Sequence, residues 1–182
     1  RGGRAVATGI GIFGLVFKEE GGTVKALLRR RLERDSLYQQ DLSGRWELVG
    51  GGMERVHFQE VPRGEYQEAI WRTLRQELME EAGLELLYGL NPLALFPAFL
   101  QRGYTDRGES HEERLTIDLA FVTPLAWAGV KETDEFQRKM ERGELHFFSK
   151  EELNTIEIVS PRTKFLIERG FDAYSLKRWG MV

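Results

Sequence analysis

The 182-residue chain contains no cysteine. That excludes a disulfide scaffold, a thiolate nucleophile and a cysteine-ligated zinc site. Its three histidines, His57, His111 and His146, are too scattered to suggest a zinc site and read as structural or exposed. No apolar run approaches the roughly 20 residues of a membrane span. Neither sign of charge dominates: the net charge is −3 and the isoelectric point about 5.8, so nothing points to wholesale binding of nucleic acid or an anionic membrane. The opening RGGRAVATG has neither methionine nor an apolar leader, which is compatible with a trimmed start and with a cytoplasmic protein. What remains is an ordinary soluble composition, 41% hydrophobic and 30% charged, long enough for one domain over 1–182.

Strand and helix signals alternate along the chain without repeats. AVATGIGIFGLVF (5–17) is β-branched, aromatic and glycine-containing, and predicts a buried strand. KEEGG (18–22) predicts a turn, and TVKALLRRRL (23–32) the returning strand. RWELVGGG (45–52) runs a strand into glycines. From Glu65 to Ala82, Ile70, Trp71, Leu74 and Leu78 recur at helical intervals, and Gly83 is a natural stop. Strands are predicted over 92–104 and 114–126, then a strand leading into a helical turn over 144–153. A second helix is predicted over 161–176, with Pro161 in its first turn. The sum is an α/β chain, a mixed β-sheet between helices.

Within LRQELMEEAGL (74–84), Glu77, Glu80 and Glu81 share one helical face. Like charges at this spacing disfavour a helix by a few tenths of a kcal/mol per pair. Either the face is simply solvated, or a cation stands nearby. Carboxylates beside a glycine turn are hard oxygen ligands suited to Mg²⁺ or Mn²⁺. WELVGGGME (46–54) supplies such a turn, where glycines let backbone approach a ligand or ion closely.

Together these two segments resemble the Nudix hydrolase family. Its signature is a glycine, a glutamate, then Arg-Glu-aliphatic-x-Glu-Glu-x-Gly-aliphatic on a loop–helix–loop. Gln76 to Leu84 fill the second half in order; Gly50, Gly51 and Glu54 resemble its opening, and Gly64-Glu65 the Gly-Glu that starts the helix. The hairpin ending ALLRRR and the later HFFSKEEL also resemble family landmarks. The resemblance implies a Nudix-type α/β/α sandwich that hydrolyses the pyrophosphate bond of a nucleoside diphosphate linked to another group. It implies Glu77, Glu80 and Glu81 as catalytic metal ligands for Mg²⁺ or Mn²⁺, with the Gly50 carbonyl as a further ligand. Gly51, Glu54 and Arg30, within RRRLER (29–34), are candidates for meeting substrate. The expected partner is a nucleotide-type small molecule, with no membrane, no nucleic acid beyond a capped RNA end, and room for a homodimer. The alternative is a non-catalytic Nudix-fold module that binds nucleotide.

Two departures stand out. The signature arginine is Gln76, and Arg72, one turn earlier, is the expected substitute cation; on that view, arginine at 76 leaves activity equal or better. The span from Gly51 to Gln76 is also eleven residues longer than the pattern. Either Glu65 or Glu68 then takes the upstream glutamate's place. The extra segment from Glu54 to Gly64 is expected to pack as a flap at the rim of the site. Further acids, Glu112, Glu113, Glu132 and Glu135, read as ordinary loop acids.

Overall fold

The computed structural model describes residues 7–32, 42–54, 57, 59, 61, 66–87, 94–95, 99–104 and 113–178. Its elements run β1 (Ala7–Glu20), β2 (Thr23–Arg30), β3 (Trp46–Glu47), β4 (Val49–Gly52), α1 (Tyr66–Glu77), β5 (Leu84–Leu86), β6 (Ala94–Leu95), β7 (Phe99–Tyr104), β8 (Glu113–Ala126), β9 (Val130–Glu132), α2 (Asp134–Glu141), β10 (Leu145–Ser149) and α3 (Pro161–Arg178). After α1 the helix widens into a π turn over Leu78–Ala82 and stops at Gly83, whose backbone is left-handed.

β1 is the axis of the sheet. It pairs antiparallel with β2 and β4, and in parallel with β8 from Ala7↔Thr116 to Phe17↔Ala126. β10 lies outside β2, and β6 and β7 pair with β8, so the sheet is mixed. A separate ribbon joins β5 to β9. The hairpin is tighter than the KEEGG signal suggests. Lys18, Glu19 and Glu20 remain in β1, paired with Lys25, Val24 and Thr23. Only Gly21 and Gly22 turn, both at positive φ as a two-residue loop requires.

Strand alternation then builds two cores. On β1, Ile12 and Val16 face one side with Leu27 of β2, and α1, the π turn and α2 cover them through Leu74, Leu78, Ala82 and Phe136. Leu15 and Phe17 face the other side with Ala26 and Leu28, covered by Leu166, Ile167 and Phe171 of α3. The result is the expected α/β/α sandwich. Gly170 allows α3 to sit close, since a Cβ there would lie 2.4 Å from Leu15 Cδ2. No helix among the described residues is long and apolar enough to cross a membrane.

The sequence reading missed β5, β9 and α2. Glu132 therefore ends a strand and Glu135 lies on a helix, ion-paired with Arg138 at 2.8 Å and Arg142 at 3.2 Å, rather than in a loop. Signals for α2 are present: Thr133 caps it, Asp134 and Glu135 fill its first turn, and Arg138 and Lys139 its last. The apolar content of that stretch is too low for periodicity to show it. Glu112 lies outside the described residues, and Glu113 is described only as the first residue of β8.

The Phe17 ring, 1% exposed, meets Phe171 edge-on at 5.0 Å and stacks on Tyr174 at 4.4 Å. Phe17→Ala is expected to cost about 3–5 kcal/mol, a large part of a typical domain's stability. Urea unfolding measures it, and a loss below about 1 kcal/mol would show that α3 does not close this core.

Candidate active site

Val49 and Leu48 are buried, so the strand holding the glycines is pinned to the sheet, and β4 lies against β1 with Phe13↔Gly50 and Ile12↔Gly51 in register. At Gly50, φ is 152° and a Cβ would fall 2.2 Å from the Ile12 carbonyl oxygen, so no side chain fits. A Cβ at Gly51 would fall 2.6 Å from the Glu77 carboxyl carbon. The glycines thus let two helical carboxylates press directly on the strand. Glu77 lies over Gly51, and Glu81 Oε2 accepts a 2.7 Å hydrogen bond from the Gly50 amide.

Glu81 is further held by Arg29 of β2, whose Nη2 lies 3.2 Å from Glu81 Oε1. The same guanidinium pairs with Glu47 of β3, and Arg31 Nη1 reaches Glu47 Oε2 at 3.1 Å. Burial nevertheless outweighs these donors and pushes the Glu81 carboxyl up to about 7, with Glu77 and Glu47 adding repulsion. Glu77 is also raised, first by burial, then by the charge of Glu80. Glu80 is exposed, and its Oε1 accepts a 3.0 Å bond from Gln76 Nε2. Glu54 is exposed, yet near enough to Glu77 to raise it further.

The expected acids therefore come together, with Gly50, Gly51 and Glu54 beside them, whereas the expected cations do not. Arg72 bonds Glu68 at 3.2 Å and the Gln59 carbonyl at 2.5 Å, away from the acids. Glu68 is thereby engaged in an exposed ion pair and makes no described contact with the cluster. Arg30 is exposed and bonds the Gly44 carbonyl at 3.3 Å. Strand alternation explains this: Leu27 and Arg29 face α1, whereas Leu28 and Arg30 face α3. Arg29 is the cation that the sequence reading missed, and counting by two from buried Leu27 would have found it. Glu65 lies outside the described residues.

The donor set suits a hard divalent cation: three carboxylates, two of which burial makes reluctant to ionise without a cation beside them. Among the described residues, no three acidic or histidine side chains converge tightly enough to hold an ion as they stand.

No family model matches this chain. No curated protein matches it either. Solved structures do. NrtR of Shewanella oneidensis, complexed with a 27mer DNA, superposes with a TM-score of 0.57 at 12% identity over 92% of this chain. This chain spans only 63% of that one. A mutT/nudix family protein from Listeria innocua gives 0.57 at 17% identity, covering 96% of this chain and 99% of its own. The NUDIX domain of NrtR, complexed with ADP ribose, gives 0.54 at 12% identity over 94% of this chain and 90% of that one. The mixed α/β/α sandwich is thus a known architecture. This chain has the Nudix fold.

Two outcomes follow from the geometry. Native Glu81 keeps its proton to about pH 7, while an unfolded glutamate loses it near 4.5. Between those values the folded form binds more protons, so metal-free stability should fall as pH rises, by at most about 3 kcal/mol. Glu81→Gln should flatten that slope in chelator-treated protein, and an unchanged slope would remove Glu81 as its source. Secondly, Arg29→Gln should raise the Glu81 pKa further and weaken any Mn²⁺-induced rise in melting temperature more than Arg72→Gln does. Thermal shift against Mn²⁺ concentration decides it, and equal responses would return Arg29 to a purely structural pair with Glu47.

Proposed function

We propose that this chain is a Nudix hydrolase, a single domain that cleaves the pyrophosphate bond of a nucleoside diphosphate joined to a second group, in a divalent-metal-dependent reaction. The observation that supports it most is the pairing of Glu77 with Gly51 and of Glu81 with the Gly50 amide, at the sequence positions of the Nudix signature. Such packing is costly for a merely solvated acidic face, because it buries charge.

In this reading Glu77, Glu80 and Glu81 hold Mg²⁺ or Mn²⁺, which when bound neutralises phosphate oxygens and lowers the pKa of attacking water. The chain's own residues prepare that. The Gly50 amide and Arg29 fix the orientation of Glu81 before substrate arrives. Gly51, having no side chain, leaves the Glu77 carboxylate against bare backbone. Glu54, at the glycine turn, borders the space a diphosphate would enter. The group linked to the diphosphate is chosen by loops beyond this cluster.

A second reading, a non-catalytic nucleotide-binding module, draws on the absence of three convergent ligands among the described residues and on Gln76. One experiment separates the two. Nucleoside triphosphates, ADP-ribose, nucleotide sugars, dinucleoside polyphosphates and capped RNA are incubated with and without Mg²⁺, and products are weighed by mass spectrometry. The enzyme reading expects phosphate-bond cleavage only with metal, reduced on the order of tenfold or more by Glu80→Gln, at least about 1.4 kcal/mol of barrier. Binding of a nucleotide without turnover, with either metal, supports the module instead.

A further inference from the structure

The segment that lengthens the chain between the glycine turn and α1 carries His57, only 4% exposed although it comes from a polar stretch. Buried imidazole needs partners, and it has two. Its Nδ1 accepts the Glu54 amide at 2.8 Å. Its Nε2 stands 2.8 Å from Gln76 Oε1. An amide oxygen can only accept, so Nε2 carries the proton and the ring is the neutral Nε2–H tautomer. Gln76 then turns its NH₂ to Glu80, 3.0 Å away. The opposite amide orientation would set oxygen against carboxylate and NH₂ against N–H. The geometry fixes one direction: Glu54 N–H to His57, His57 N–H to Gln76, Gln76 N–H to Glu80. Donors aligned this way polarise one another toward the terminal negative charge.

This changes the meaning of Gln76. An arginine there would offer donors only, leaving the His57 N–H without an acceptor. Glutamine both accepts and donates, which the bridge requires. We propose that His57 and Gln76 form a positioning pair for Glu80, and that the described residues of the lengthened segment, His57 and Gln59, act as a strut that orients this acid rather than as part of a flap that sorts substrates. The Arg72 bond to the Gln59 carbonyl ties the same segment to α1 at a second point. The function of the strut rests on reading Glu80 as a metal ligand; its existence does not.

The test therefore has a metal-free arm and a metal arm. In chelator, ¹⁵N-labelled protein should show His57 as the neutral Nε2–H tautomer with a slowly exchanging ring proton, and Gln76→Ala should speed that exchange. A different tautomer, or exchange indifferent to Gln76, overturns the chain. In the second arm, Mn²⁺ affinity is measured for wild type, His57→Ala, Gln76→Ala, the double variant and Gln76→Arg. Each single change should weaken Mn²⁺ on the order of 10–100-fold, as removal of a residue orienting a ligand does. The double variant should be no worse than either single, and Gln76→Arg should not restore affinity. Folded Gln76→Ala, at a half-exposed helical position, keeps the arm decisive should His57→Ala fail to fold. Unchanged affinity in the folded single variants overturns the positioning role while leaving the metal reading intact. A wild type that binds no Mn²⁺ overturns both the metal reading and the role of the strut in serving it, and the tautomer arm then decides the hydrogen-bond chain alone.

Discussion

Two carboxylates resting on the glycines of a strand, where no side chain stands, is the constraint from which the rest of the site follows. Gly50 and Gly51 leave nothing above the backbone, so Glu77 and Glu81 occupy that space. For both acids to reach one short strand, the end of α1 must lie close against β4. The wider π turn over Leu78–Ala82 and the abrupt stop at Gly83 hold it there. The buried faces serve the same geometry. Leu74 and Leu78 seat the helix on Gly14 of β1, and the strand carrying the glycines pairs with that same β1.

Charge then has to be managed in a place with little water. Arg29 is shared between Glu81 and Glu47, and the Gly50 amide adds a fixed dipole, yet burial still leaves both helix acids reluctant to ionise. A site short of compensating cation in this way is stable enough to fold but keeps affinity for positive charge. Glu80 is exposed and is held through a neutral amide rather than a guanidinium.

The layers of the fold were legible from local pattern: β1 and β2 are apolar runs bounded by a glycine turn, buried on both faces, and α1 repeats its apolar residues at helical intervals. The acidic helix face and the glycine strand were legible for the same reason, since spacing alone brings Glu77, Glu80 and Glu81 together. What was hidden depends on contacts between segments distant in sequence. Arg29 and Arg30 are adjacent letters, and only the pairing of β2 with its neighbours tells which face each takes. Arg72 was placed near the acids from helical angle alone, but the neighbouring Glu68 and the Gln59 carbonyl claimed it. The π turn leaves no mark in the pattern of apolar residues. His57 read as structural or exposed, and the first of these fits its 4% exposure; its partner Gln76 was not legible because it lies on a helix that begins after it.

One topological feature also bears on how the molecule is made. β1 is the strand on which both cores are built, but its parallel partner β8 lies on the order of a hundred residues later in the chain. During synthesis, β1, β2, β4 and the acidic helix are all available well before β8, so the future site can gather while one long edge of its central strand stays open. That edge, with its β-branched and aromatic residues, is a template for pairing with another chain until β8 arrives. The order of the strands along the chain therefore leaves the N-terminal half with an open edge for as long as the second half is missing.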